Sequence, residues 1–242
     1  MRVVDEFIRT GDVLFRWRSY LPLLLIPSFL ASFVGATYLL NSHTLDLVWE
    51  IACLFLSMTG LAIRAFTVGT APHGTSGRNT RHQRAEVLNT TGPYSVLRHP
   101  LYVANSLIAL GLACFSRTWF LPIIVSLTAF LYHERIAARE EEYLEDKFGE
   151  AFRAWAAKVP AMIPRFTNYV APSLQFNWQK AVRQECYGVF VIGAGFFVLE
   201  LTQDFVVHGR LVLDPVWTAI FLASTLFFTA VLTLKKRGLL RG

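Results

Sequence analysis

The sequence predicts an all-α, polytopic membrane protein with about six transmembrane helices, among them a tight helical hairpin, and a cytoplasmic amphipathic helix. Three observations support this class. The 242 residues are 54% hydrophobic and only 17% charged, several long apolar runs carry no charge, and the basic residues gather on one side of those runs. This composition disfavours a disordered chain, a disulfide scaffold and a soluble enzyme with a single core.

The predicted spans begin with residues 21–40, which carry no charge and can cross a hydrocarbon core of roughly 30 Å at about 1.5 Å per residue. Asp5, Glu6 and Asp12 precede this span, so we expect a retained anchor rather than a cleaved signal peptide. The third and fourth spans are short and separated only by Arg117, which predicts the hairpin. The later spans are predicted at residues 47–66, 101–116, 118–132, 186–203 and 215–234.

The distribution of Lys and Arg predicts that both ends of the chain face the cytoplasm. With that orientation, all of the 23 basic residues except Arg117 and Arg210 lie on the inner side. The formal charge of +6 then indicates contact with anionic lipids of the inner leaflet, because no compact basic domain or stacking motif points to nucleic acid. No targeting extension is visible, which favours a bacterial inner membrane over the endoplasmic reticulum.

Two of the inner segments differ in kind. Residues 67–97 are rich in Gly, Thr, Asn and Arg, which is typical of an ordered polar loop. Residues 134–158 are highly charged, and their large apolar side chains recur three or four positions apart. This spacing predicts an amphipathic helix on the membrane surface, with an apolar face formed by Leu144, Phe148, Phe152 and Trp155.

The richest candidate for chemistry is the segment GPYSVLRHPLY at residues 92–102. Pro100 disfavours helical geometry at the preceding residue and suits the first position of a helix, so a helix is predicted to begin there. Arg98 and His99 then lie at a helix N-terminus, where free N–H groups and a guanidinium can bind a carboxylate or phosphate. An isolated Arg-His-Pro would more simply be an interfacial anchor and a cap.

A second cluster, Glu140, Glu141 and Glu142, follows the fourth span. A run of acids on an exposed helix is usually a solvated face. With Arg117 at the hairpin apex, however, residue 136 returns to the level of Arg98, and the acids overshoot by only about 6–8 Å at helical rise. The glutamates are therefore predicted to reach the arginine and histidine at the mouth of the hairpin.

The two clusters together resemble a known family. Three motifs follow one another along the chain: G-P-Y-x-x-x-R-H-P-x-Y, E-E-x-x-L-x-x-x-F-G-x-x-F, and V-P-x-x-I-P-R from Val159 to Arg165. Their order and spacing resemble the isoprenylcysteine carboxyl methyltransferase and phospholipid methyltransferase family of integral membrane enzymes. The resemblance covers roughly residues 60–166. One departure is Ala104, where the family commonly has Gly, so the resemblance implies a slightly tighter cofactor pocket.

The resemblance implies that S-adenosylmethionine binds within the hairpin and the amphipathic helix, with a lipid acceptor entering from the bilayer. It also implies three parts of the chain: anchor spans (1–66), a catalytic core (67–166) and a two-span extension (167–242). Arg98 and Glu141 are the candidate catalytic pair. The candidate cofactor-binding residues are His99, Pro100, Tyr102, Asn105 and Glu140.

The chemistry expected of such a site is modest, because the methyl sulfonium is already electrophilic and the nucleophile needs mainly to be held in line. We expect Arg98 to hold the acceptor and Glu141 to orient Arg98 or the nucleophile. A lipid phosphate, a prenylcysteine carboxylate and a phospholipid amine all remain open as acceptors. The basic loop residues Arg78, Arg81 and Arg84 favour an anionic head group over a neutral amine.

Other classes are weaker alternatives. A sterol-reductase-like enzyme that uses NADPH shares an R-H-x-x-Y element, and a non-catalytic scaffold or transporter could keep the same fold. No metal is expected, because the three cysteines and the loop histidines show no ligand spacing. Glu200 and Asp204, one turn apart in the fifth span, could bind a cation, but placement at the membrane interface explains them more simply.

Overall fold

The computed structural model describes residues 3–17, 20–72 and 85–240, and all regular secondary structure within these ranges is helical. Short 3-10 turns occur at Leu21–Leu25, Leu39–Asn41 and Phe166–Asn168. The α-helices are α1 (Val3–Trp17), α2 (Ile26–Ser32), α3 (His43–Thr70), α4 (Pro93–Val96), α5 (Pro100–Cys114), α6 (Phe120–Phe148), α7 (Glu150–Ala156), α8 (Trp178–His208) and α9 (Pro215–Lys236). The loop arginines Arg78, Arg81 and Arg84 lie outside the described residues.

Four of the described helices, α3, α6, α8 and α9, are long and apolar enough to cross a membrane. Two shorter apolar helices accompany them, Leu23–Ser32 and α5. The polytopic helical class is therefore confirmed, and four of the six predicted spans lie on helices that are long enough by themselves to cross a membrane. Residues 21–40 do not form one α-helix: a 3-10 turn at Leu21–Leu25 leads into α2, which ends at Ser32, and the chain turns at Gly35, where φ is 72°.

The path of the chain still passes six times between two ends of the bundle. The end that holds Arg98 is called the Arg98 end, and the opposite one the Arg117 end. Helix α1 packs against α6 near Arg135, at the Arg98 end, while Tyr38 bonds to Asp204 at the Arg117 end. Residues 20–40 thus make the first pass, and α3, α5, α6, α8 and α9 make the others. Both ends of the described chain lie at the Arg98 end, in agreement with an even number of passes.

The predicted fourth span and the predicted amphipathic helix are largely one helix. Helix α6 runs without interruption to Phe148, because residues 132–135 contain no Gly or Pro that would break it. The break comes at Gly149, where φ is 53°, and α7 begins directly after it. The glutamate run therefore sits on a rigid continuation of the hairpin rather than on a separate surface helix.

The central helices pack closely through small residues. A Cβ added at Gly60 of α3 would come within 2.5 Å of the carbonyl oxygen of Ala104 on α5, so the two backbones touch there. Ser57 donates a hydrogen bond to the carbonyl oxygen of Ile108 on the same partner, at 2.9 Å. An aromatic cluster that includes Phe115, Phe196 and Trp217 fills the interior toward the other end. This packing fixes the height of α5 against α3.

Arg117 lies at the apex of the hairpin, as predicted, with a φ of 58° between α5 and α6. Its guanidinium is bonded inward to Asp46, to the carbonyl oxygen of Thr37 and to Gln203. The interfacial interpretation of Glu200 and Asp204 is wrong, because both side chains are buried. They lie on the faces of α8 that pack against neighbouring helices, and hydropathy alone does not reveal which face an acid occupies.

Candidate functional site

The Arg-His-Pro turn is built as the sequence predicts. Helix α5 begins at Pro100, and His99 caps it with non-helical backbone angles. Two backbone hydrogen bonds brace the turn: the N–H of Arg98 donates to the carbonyl oxygen of Pro160 at 2.9 Å, and the N–H of Arg165 donates to that of Val96 at 3.0 Å. The V-P-x-x-I-P-R segment therefore serves as a strap that fixes the turn against the end of α7.

The hairpin brings the two predicted clusters into direct contact. Arg98 donates from Nε to Oε1 of Glu141 at 2.8 Å and from Nη2 to Oε2 at 3.2 Å. The Nε2 atom of His99 lies 2.8 Å from the same Oε1 atom. Glu140 is also close, with Oε2 3.6 Å from Nδ1 of His99. One carboxylate thus joins an arginine and a histidine, and a second carboxylate stands beside them.

Most of the donor capacity of Arg98 is already used. Besides its two bonds to Glu141, its Nη1 atom donates to the carbonyl oxygens of Ala156 at 2.8 Å and Val159 at 3.1 Å. Four of the five N–H groups of a guanidinium are then engaged with described residues, and one on Nη2 is left over. Arg98 is consequently held rigidly, with a single donor available to a ligand.

His99 is buried, and its charge depends on its acidic neighbours. Burial lowers the pKa of the imidazole, but hydrogen bonds and charge attraction from Glu140 and Glu141 outweigh it and leave the pKa of His99 above its usual value. The imidazolium form is therefore favoured more than in a freely exposed histidine. In that form both ring nitrogens donate, Nε2 toward Glu141 and Nδ1 toward Glu140.

A stack of three rings continues from this cluster into the hairpin. Tyr102 lies nearly parallel to His99, with ring centroids 5.4 Å apart, and nearly parallel to His133 of α6, at 4.8 Å. Ser106 donates to the carbonyl oxygen of Tyr102 and lies 3.2 Å from Nδ1 of His133. His133 was missed by the sequence analysis. Its signal was the same hairpin count, since residue 133 returns to the level of residue 101.

Asn105, proposed as a cofactor ligand, takes part in a neighbouring polar network. Its Oδ1 atom accepts a hydrogen bond from Nη1 of Arg64 at 2.6 Å. Arg64 also makes two bonds to Glu185 of α8, at 2.8 and 2.9 Å. Neither Arg64 nor Glu185 was singled out from the sequence, because both appear as ordinary charges at the end of a span. Helix α8, outside the resembling part, thus contributes a carboxylate beside the site.

An open cleft of about 540 Å³ borders this cluster. It is lined by Arg98, by residues 156–158 at the end of α7, and by residues 159–161 and 163–165 of the bracing strap. Two of the lining residues, Ala156 and Val159, are those whose carbonyl oxygens accept hydrogen bonds from Arg98. Ligands that approach through it would meet a guanidinium and a wall of apolar strap residues such as Pro160 and Ile163.

Comparison with known proteins agrees with this geometry. Residues 47–151 match the family described as phospholipid methyltransferase. The similarity to that family is shown for this part of the chain. The matched range contains most of α3, the Arg-His-Pro turn, the whole hairpin and the glutamate run. The resemblance drawn from the motifs is therefore confirmed.

Three relatives are similar over part of their length. The chain is 32% identical over 140 residues to the cobalt-zinc-cadmium resistance protein CzcN of Cupriavidus metallidurans, covering 57% of this chain and 62% of that protein. It is 34% identical over 91 residues to the nickel-cobalt-cadmium resistance protein NccN of Alcaligenes xylosoxydans xylosoxydans, covering 38% and 42%. It is 30% identical over 141 residues to protein-S-isoprenylcysteine O-methyltransferase of Schizosaccharomyces pombe, covering 58% and 56%.

The chain thus spans no more than 62% of the length of these curated relatives. No solved structure matches it significantly.

Proposed function

We propose that this protein is an S-adenosylmethionine-dependent methyltransferase that methylates a lipid at the Arg98 end of the helix bundle. The observation that carries the proposal is the joined cluster of Arg98, His99 and Glu141 at the mouth of the hairpin, inside the part of the chain that matches the phospholipid methyltransferase family. The similarity to an isoprenylcysteine methyltransferase supports the same class of reaction.

The residues present fit the charges of S-adenosylmethionine, which carries a carboxylate, an ammonium group and an adenine ring. Glu140 is partly exposed, and within the described residues its one ion-pair contact is the long one to His99, so it can accept the ammonium group. Tyr102 offers an aromatic ring, and His99, Pro100 and Asn105 complete the proposed cofactor-binding set. When bound, the cofactor supplies a methyl group on a sulfonium, an electrophile that needs no further activation.

Arg98 is proposed to hold the acceptor through its remaining Nη2 donor. Glu141 acts mainly by positioning Arg98, since both of its oxygens are bonded to that guanidinium. This arrangement bears on the acceptor. An amine would have to lose a proton to a base, and Glu141 would first have to break contacts with Arg98 and His99. A lipid phosphate or carboxylate needs only the cation, so the geometry favours an anionic acceptor.

The Arg98 end is proposed to face the cytoplasm. The excess of Lys and Arg in segments at this end is what the positive-inside rule associates with the inner side of a membrane. Anionic lipids of that leaflet would be attracted by the same residues. A bacterial inner membrane is the proposed location.

Cofactor binding separates the proposal from its alternatives. S-adenosylmethionine at about 100 times its Kd should stabilise the purified protein by about 2.7 kcal/mol, which raises Tm by roughly 5–10 °C for a chain of this size. NADPH should leave Tm unchanged. A shift with NADPH alone would indicate the reductase-like alternative, and no shift with either would indicate a scaffold or transporter.

The roles of the individual residues are tested by substitution. Arg98→Ala should retain the shift with S-adenosylmethionine and lose methyl transfer, because Arg98 is assigned to the acceptor. Glu140→Gln should weaken the shift, because Glu140 is assigned to the cofactor. An Arg98→Ala protein that binds the cofactor and turns over normally would refute the assignment of Arg98.

A further inference from the structure

Three side chains that commonly bind metal ions converge at the Arg117 end, far from the methyl-transfer site. His43 is the first residue of α3, Glu200 lies on α8, and Asp214 precedes α9. One ligand atom from each lies within 4.8 Å of the other two. The His43 Nε2 atom is 3.6 Å from Oδ2 of Asp214. At about 1.5 Å per residue, the length of α3 places this cluster roughly 31 Å from Arg64.

Asp214 and His43 each have a potential ligand atom that is not used to cap a helix. Asp214 caps α9 with Oδ1, which accepts the N–H groups of Val216 at 2.8 Å and Trp217 at 3.0 Å. Its Oδ2 atom faces His43 instead. The side chain of His43 is 51% exposed, so the cluster has a route to water on one side. An ion could enter along this route.

Glu200 supplies an independent observation. Its Oε2 atom is buried without a hydrogen-bond partner among the described residues, and the whole residue is only 3% exposed. A buried polar atom left without a partner destabilises the folded protein, and a charged one does so more strongly. This unpartnered oxygen belongs to a residue that converges with His43 and Asp214, so a metal ion bound there would give it a partner.

The charge around the cluster is also unbalanced. Five acids are buried at this end of the bundle. Neutral groups donate hydrogen bonds to some of these acids: Gln203 and Trp217 donate to Glu50, and Tyr38 donates to Asp204. Within the described ranges, Arg117 is the one Lys or Arg whose contacts place it among these acids. The buried acids at this end are Asp46, Glu50, Glu200, Asp204 and Asp214.

We propose that His43, Glu200 and Asp214 bind one divalent transition-metal cation of the Zn²⁺ type. An imidazole nitrogen with two carboxylates suits Zn²⁺ or Co²⁺, whereas Ca²⁺ and Mg²⁺ prefer oxygen ligands alone. Bonds of about 2.1 Å place tetrahedral ligand atoms roughly 3.4 Å apart, so the cluster must contract by little more than 1 Å. The bound ion would clamp α3, α8 and α9 together, and a fourth position would be open to water.

Metal binding can be measured on the full-length protein, purified in detergent without a polyhistidine tag and stripped with a chelator. Zn²⁺ alone is titrated by calorimetry, and Co²⁺ alone by visible absorption. One equivalent of Zn²⁺ should bind, with the absorption bands of tetrahedral Co²⁺. His43→Ala should weaken Zn²⁺ binding roughly 10-fold or more, since loss even of an outer-shell partner costs 10–100-fold. Glu200→Gln should have a similar effect.

His208→Ala is the matched control. His208 is a partly exposed histidine at the same end, in contact with Tyr38 and Asp204, but it is outside the converging set. This variant should bind Zn²⁺ as the parent does. The proposal is overturned if the parent does not bind one equivalent, or if His43→Ala and His208→Ala bind equally well. If Glu200→Gln does not fold, the comparison of His43→Ala with His208→Ala still tests the proposal, because replacing the exposed His43 should leave the fold intact.

Discussion

Glu141→Gln is the most informative single change at the proposed methyl-transfer site. The substitution keeps the size of the side chain but removes the charge that Arg98 and His99 share. The amide of glutamine has an NH₂ group in place of one carboxylate oxygen. At one of the two Arg98 contacts, an N–H group of the guanidinium then faces an N–H group of the amide, and no hydrogen bond forms. The variant leaves a guanidinium and an imidazolium side by side without their common anion.

The size of the effect follows from burial and geometry. Breaking a buried ion pair typically destabilises a protein by about 3–5 kcal/mol. The side chains here are 17% exposed for Arg98 and 24% for Glu141, so solvent screens part of the interaction and the low end, about 3 kcal/mol, applies. For a chain of this size that corresponds to a fall in Tm of roughly 6–12 °C. Thermal unfolding in detergent, followed by intrinsic fluorescence, measures it.

Glu142→Gln provides the control within the same acidic run. Glu142 is 37% exposed and pairs with Arg139 three residues earlier on the same helix. Exposed helical pairs of this kind contribute only about 0.3–0.5 kcal/mol, so Tm should fall by no more than roughly 2 °C. If the two variants lose the same stability, Glu141 is merely part of a solvated face and the reasoning about the hairpin mouth is refuted.

Three further predictions concern the surroundings of the site. Gly60→Val should destabilise the bundle by about 1–3 kcal/mol, because the added carbons meet the carbonyl oxygen of Ala104; an unchanged Tm would contradict the close packing. Arg64→Gln should lower stability by about 3 kcal/mol by leaving Glu185 buried and unpaired, and adding Glu185→Gln should restore much of it; simple additivity in that double-mutant cycle would argue against the pair. The pKa of His99 is higher in the folded protein than in the unfolded chain. Its ion pairs therefore contribute their full stability to the fold at pH values below the unfolded-state pKa of about 6.5, and this contribution is lost as pH rises through the folded-state pKa. The Tm difference between the parent and His99→Gln should therefore shrink as pH increases above about 6.5, and a difference that grows would contradict this sign.

The fold could be predicted from the sequence where a single physical rule applied. The long apolar runs gave α3, α6, α8 and α9, and Pro100 gave the start of α5. The prediction of the first span as one helix failed because hydropathy counts apolar residues without registering that the helix ends at Ser32 and the chain turns at Gly35. The separate amphipathic helix failed for the opposite reason, since a change from apolar to charged composition does not end a helix.

The candidate site was predictable where the hairpin fixed the register. Counting from Arg117 brought Glu141 to Arg98 because both helices rise by the same amount per residue. The pair of Arg64 and Glu185 was not predictable, because it joins helices far apart in the chain whose rotation about their axes is set by packing. The buried acids near Arg117 were misread for the same reason.

The central claim is tested most directly by supplying S-adenosylmethionine with a labelled methyl group to membranes that contain the protein and measuring the label in extracted lipid. We predict label in the methyl ester of a lipid phosphate or carboxylate with the parent, and none with Arg98→Ala at equal protein levels. Label that stays out of the lipid fraction with the parent, or that enters it equally with Arg98→Ala, would contradict the account.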